Sequence, residues 1–203
     1  MHEFKDPTRL TTAAVGAVCA YMVIRPLFVI SMWWELSSPP LLEPEQLPAS
    51  AVVGLVMSLI AIACFILVGC WIYRASANAH TLSSEMTISP GWAVGSYFIP
   101  ILNLFRPFQG MKEAWLASHF RGNWHDQAAP GLLILWWTLW LGVGFLDNIA
   151  WRLVTDSEVP TEASVWFDGV IALINIPLCL VLITMMRRLS RAQLAARHEE
   201  VFA

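Results

Sequence analysis

The chain has 203 residues, a formal net charge of −3, 57% hydrophobic residues and only 13% charged ones. With a mean hydropathy of +0.59, that composition excludes a soluble domain and a disordered one, and so few bases exclude nucleic-acid binding. The four cysteines, Cys19, Cys64, Cys70 and Cys179, fall inside apolar stretches without a Cys-x-x-Cys pair. They read as small core residues, not as a disulfide framework.

In chain order, the first apolar run covers residues 11–34 and holds one charge, Arg25. Lys5 and Arg9 precede it as in a signal peptide, but the run is too long for a typical signal core and reads as a retained first helix. Residues 51–73 are uncharged and give a second spanning helix. Residues 89–105 are uncharged too, but a helix over Trp92–Phe105 would reach only about 21 Å, against a hydrocarbon core of about 30 Å. This element should be short and broken. Ser89 suits an N-cap and Pro90 a first helical position. Gly91 and Gly95, four apart, suggest a face for close helix contact. Pro100 should free the carbonyl of Ser96, and Asn103 brings an amide to membrane depth. Arg106-Pro107 ends the run. Phe108, Met111, Trp115 and either Leu116 or His119 then share one side, which suits an amphipathic helix over 107–120 on the inner surface. Spanning helices follow at about 130–154 and 164–187. The fold class is an all-α integral membrane protein: one domain, residues 1–203, with four transmembrane helices, a re-entrant or interfacial broken helix and an amphipathic helix.

Charge gives the expected topology. The N-terminus, the central segment and the C-terminus hold Lys5, Arg9, Arg74, Arg106, Lys112, Arg121, Arg187, Arg188, Arg191 and Arg197, ten of the twelve bases. The loops with Glu35, Glu43 and Glu45, and with Asp156, Glu158 and Glu162, hold none. By the positive-inside rule both termini and the central segment are cytoplasmic, so residues 89–105 enter and leave on one side. Trp33, Trp34, Trp71, Tyr73, Trp151 and Trp166 fit aromatic belts.

The central block resembles the bacterial membrane family catalogued as domain of unknown function 4328. The resemblance rests on Tyr73-Arg74, Asn78, the run Ser89-Pro90-Gly91-Trp92-Ala93-Val94-Gly95, Phe98-x-Pro100, Asn103-Leu104, Arg106-Pro107, Gln109 and Glu113-x-Trp115. It implies a multi-pass protein of the bacterial inner membrane and carries no activity with it.

Two groups of residues are candidates for function. One is the family block: Tyr73, Arg74, Asn78, Ser89, Pro90, Gly91, Trp92, Gly95, Pro100, Asn103, Arg106, Pro107, Gln109, Glu113 and Trp115. The other is the set of intramembrane charges Arg25, Asp147 and Asp168. A lone charge there is costly, so an ion pair between Arg25 and either acid is expected. It would fix helix register or form a substrate or proton site. His80, His119 and His125 lack the spacing of a helical metal site, and no cofactor is expected. The sequence favours binding or movement of a small solute at the broken element, in the manner of half-helix ends in transporters. The alternative is a non-catalytic assembly or scaffold subunit, and a membrane-embedded lipid-modifying enzyme ranks last. Partners are the lipid bilayer and, in the alternative, another membrane protein or a second copy of the chain.

Overall fold

A computed structural model describes residues 3–37, 47–120, 124, 126–155 and 161–202. Arg121, His125 and the loop acids Glu43, Glu45, Asp156 and Glu158 lie outside the described residues. The helices are α1 (Thr8–Ser37), α2 (Ala49–Leu82), α3 (Pro90–Gly95), α4 (Arg106–His119), α5 (Gly131–Thr155) and α6 (Glu162–Phe202). Single 3₁₀ turns at Ser96–Phe98 and Leu102–Leu104 join α3 to α4. The described residues contain no strand.

Four helices, α1, α2, α5 and α6, are long and apolar enough to cross a membrane. The chain is therefore a multi-pass membrane protein. Helix α2 shows the physics most plainly. None of residues 49–70 is buried, and Leu55, Leu59 and Ile62 are each more than half exposed. A helix that is apolar all round yet unburied is a helix solvated by hydrocarbon. Two helix hydroxyls are satisfied locally: Ser58 Oγ donates to the Gly54 carbonyl at 2.8 Å and Ser118 Oγ to the Ala114 carbonyl at 2.6 Å, a usual way for a helix to quiet a polar side chain. Helices α2 and α6 continue past their expected ends at 73 and 187, to Leu82 and Phe202. Hydropathy marks the apolar stretch only, whereas the backbone ladder continues until something stops it.

The chain divides into two compact units. The first takes in Met1–Val15, Phe65–Trp137 and Val181–Ala203. Its core is Trp71, Leu116, Met185, Met186 and Leu189, all fully buried. Its N-terminal segment is fixed by Asp6, whose Oδ1 accepts from the Thr8 amide at 2.8 Å and the Thr8 hydroxyl at 2.5 Å. Those bonds to Thr8 hold the exposed Asp6 carboxyl below its ordinary value.

The second unit takes in Gly16–Cys64 and Thr138–Leu180. Here α1 packs on α2 where the Phe28 ring lies 3.0 Å from the position of a Cβ on Gly54, and on α6 where Val29 lies 3.8 Å from that position on Gly169. Trp33 and Trp166 meet edge to face at 5.4 Å. Helix α6 starts with a reciprocal cap: the Ser164 amide donates to Thr161 Oγ1 at 3.2 Å and the Thr161 amide to Ser164 Oγ at 3.0 Å.

Candidate functional site

In the first unit the broken element folds as a two-limbed hairpin. Residues 88–98 run antiparallel to α2. His80 Nε2 bonds the Ile88 carbonyl oxygen at 3.0 Å, Val94 is 3.8 Å from a Cβ position on Gly69, and the rings of Phe65 and Phe98 meet edge-on at 5.6 Å. Helix α4 returns over the first limb. A Cβ on Gly110 would lie 3.6 Å from both Ala93 and Ile88. Glu113 ties the base of the hairpin: its carboxylate accepts from the Thr87 hydroxyl, the Thr87 amide at 2.9 Å and the Ile88 amide at 3.1 Å. Those bonds set the entry to α3.

At the tip, residues 96–105, the backbone tightens into 3₁₀ turns around Pro100. Ser96 is fully buried. Its Oγ and Asn103 Oδ1 are buried side-chain oxygens without a hydrogen-bond partner. A buried acceptor left unmade costs about 1–3 kcal/mol, so such pairs of atoms call for a donor. The Tyr97 phenol oxygen is buried in the same segment.

Three sequence expectations for this segment are corrected. Gly91 and Gly95 do not form the close-contact face: a Cβ on either would meet nothing within 4 Å. The packed face of α3 and the following turn is Pro90, Ala93 and Ser96. These lie three residues apart, and glycine spacing cannot say which side of a two-turn helix meets its neighbour. The Ser89 side chain makes no cap bond, although Ser89 is the N-cap residue; only its carbonyl is used, by the Ala93 amide at 2.9 Å. The Ser96 carbonyl is not left free by Pro100, because the 3₁₀ turn delivers the Ile99 amide to it at 3.4 Å.

The remaining family residues divide between core and surface. Asn78, Pro107 and Trp115 are buried, Arg74, Arg106 and Glu113 are half-buried, and Tyr73, Trp92, Pro100 and Gln109 are exposed. In α4 it is Leu116 that joins Met111 and Trp115 in the core. His119 is exposed, its ring stacked on Trp115 at 4.4 Å. No metal-holding group of His, Cys, Asp or Glu occurs among the described residues.

Asn78 belongs to a buried polar network that sequence reasoning did not assemble. Its Nδ2 donates to the Lys5 carbonyl at 2.9 Å and to Gln193 Oε1 at 3.3 Å, while its Oδ1 accepts from the Lys5 amide at 3.1 Å. Gln193 Nε2 donates to the Ala75 carbonyl at 2.8 Å and to Ser118 Oγ at 3.3 Å. Alongside, Trp71 Nε1 donates to Ser190 Oγ at 3.3 Å, and the Ser190 and Thr11 hydroxyls meet at 2.7 Å. Gln193 is fully buried although it stands within the basic run Arg187–Arg197. The signal was its spacing, four residues after Leu189 and seven after Met186, on the face that carries the core.

In the second unit, Arg25 Nη2 lies 3.0 Å from Asp168 Oδ1 and 3.4 Å from Asp147 Oδ1. The sequence pointed to one partner or the other, and the guanidinium reaches both. The Arg25 side chain is 11% exposed, Asp168 14% and Asp147 49%. Pro26 and Pro177 interrupt the amide ladders of the two helices nearby. Asn175 spends its Nδ2 on the Ile171 carbonyl at 3.0 Å and so stands outside the ion cluster's bonding.

The family model described as Domain of unknown function (DUF4328) matches residues 47–191. The chain belongs to this family. The match takes in the whole hairpin, Asp147, Asp168 and Ser190, while Arg25 and Gln193 fall outside it. No curated protein and no solved structure matches the DUF4328 chain.

Proposed function

We propose that this DUF4328 protein binds or moves a small hydrogen-bond-donating solute at the tip of its central hairpin. The observation that carries the reading is the pair of buried acceptors, Ser96 Oγ and Asn103 Oδ1, in one short segment of irregular backbone. Non-helical backbone inside a membrane bundle is tolerated where it is covered by protein or lines a cavity. Asn103 Oδ1 can only accept, and Ser96 Oγ can accept as well as donate, a combination that favours an ammonium or amine over an anion. The protein sits in an inner membrane with both termini cytoplasmic, a reading supported by the ten bases of the termini and central segment. Labelling of a cysteine at position 44 or 160 only from the cytoplasm would refute that orientation.

Thermal unfolding of the purified full chain in nanodiscs, with ammonium, methylammonium or ethanolamine against matched sodium chloride, tests the solute reading. A bound probe at a hundred times its Kd stabilises by about 2.7 kcal/mol. Asn103→Leu should keep the fold and lose that gain. No stabilisation by any probe, or equal stabilisation of Asn103→Leu, overturns the reading.

A further inference from the structure

The charges of the second unit do not balance. A single guanidinium nitrogen, Arg25 Nη2, serves the carboxylates of both Asp168 and Asp147. All three residues belong to membrane-spanning helices. With both acids ionised, the cluster holds one negative charge too many. An uncompensated charge at that depth is costly, and such groups pair or are neutralised.

The two acids are not equivalent. Asp168 is nearer, at 3.0 Å, and its side chain is 14% exposed, while Asp147 is at 3.4 Å and 49% exposed. Asp168 is the resident counter-ion of Arg25. Asp147 is held more weakly and has an open side. Among the described residues the charges that act on Asp147 are those of Arg25 and Asp168, and no other neighbouring group supplies the missing positive charge. Tyr21 of α1 interacts electrostatically with both Arg25 and Asp147, and Cys64 of α2 and Cys179 of α6 lie near Tyr21. A phenol and two thiols are neutral in their ordinary forms near pH 7.

We propose that Asp147 is a proton-binding site. Its carboxylate takes a proton from hydronium, forming an O–H bond and releasing water, and the cluster goes from a net charge of −1 to neutral. Loss of the proton to water reverses the step. Arg25 remains paired with Asp168 throughout. A second feature of the same guanidinium fits this assignment: Arg25 Nε is buried without an acceptor. A water accepting from it would stand within the cluster and serve as the proton's donor and acceptor. The proposal rests on this cluster alone and is independent of the solute site at the hairpin tip.

Infrared difference spectra of the purified full chain in nanodiscs, recorded between high and low pH, test it. The natural protein should show a protonated-carboxyl band that Asp147→Asn removes and Asp147→Glu moves in frequency. Asp168→Asn leaves one carboxylate balanced by Arg25, so the Asp147 band should then appear only at lower pH. Exchange of sodium for choline should leave the titration in place. A band that survives unchanged in both Asp147 variants overturns the proposal, as does the absence of any band that Asp147→Asn removes. A titration displaced by sodium overturns it too, because a metal cation would then be the neutralising ligand. Should Asp147→Asn fail to fold, Asp147→Glu decides: an unmoved band refutes the assignment.

Discussion

Asn78 pairs with the backbone of Lys5 through both ends of its side-chain amide, its Nδ2 donating to the Lys5 carbonyl and its Oδ1 accepting from the Lys5 amide. One side-chain amide thus does for the N-terminal segment what a neighbouring strand does in a sheet. A helix interior residue 73 positions away holds a stretch that has no helix of its own. Removal of that amide leaves a peptide donor, a peptide acceptor and Gln193 Oε1 short of partners.

Asn78→Leu should therefore destabilise the protein by roughly 2–4 kcal/mol, several times the net worth of one ordinary hydrogen bond. Amide exchange at Lys5 and protease access to residues 3–7 should rise together. Protection of Lys5 equal to that of the natural protein would show that the pairing adds nothing.

The Arg25 cluster makes an ordered prediction. Asp168→Ala removes the nearer, more buried partner and should cost roughly 3–5 kcal/mol, as does breaking a buried pair elsewhere. Asp147→Ala should cost clearly less, because that carboxylate is half exposed and farther away. A double-mutant cycle of Arg25→Ala with Asp168→Ala should give a coupling energy of about 0.5–3 kcal/mol. Additive losses in thermal unfolding would mean that the two residues do not interact.

The glycines of the hairpin reverse the expectation that sequence spacing raises. Gly91→Ala and Gly95→Ala should be neutral or slightly stabilising, since a methyl at either site meets nothing within 4 Å and alanine restricts the unfolded chain. Gly110→Leu should instead destabilise by roughly 1–3 kcal/mol, because its Cβ already sits in van der Waals contact with Ala93 and Ile88 and the rest of the side chain would overpack the crossing. Unfolding temperatures of the three variants measured side by side check the order.

Glu113→Gln tests the tie at the hairpin base. The amide oxygen keeps one acceptor but gives up the charge that strengthens three bonds. Stability should fall by about 1 kcal/mol, given that Thr87 is exposed. The local effect should be larger: faster amide exchange at Thr87 and Ile88, with α2 unchanged. Unaltered exchange at both amides would remove Glu113 from this role.

The sequence by itself determined the solvent of this protein and the four helices long and apolar enough to cross a membrane. Long uncharged runs can be satisfied only by helices in hydrocarbon, and hydropathy reads that requirement residue by residue. It also marked residues 89–105 as too short to cross, because reach is length times a fixed rise. That Arg25, Asp147 and Asp168 stand at matching levels was legible for the same reason, and the three side chains do meet. Which atoms meet was not. Gly91 and Gly95 looked like a packing face, yet Ala93 and Gly110 make the crossing, because the rotation of a two-turn helix depends on the partner laid against it. Gln193 stands within the basic run Arg187–Arg197, yet it is buried against Ala75 and Ser118. The two acids of the ion cluster stand on consecutive helices, but their arginine lies 122 and 143 residues away in the chain, and only the tertiary approach of α1 lets one guanidinium nitrogen serve both. Local composition fixes the energy of a residue in its solvent, whereas a pairing depends on where the rest of the chain brings its partner.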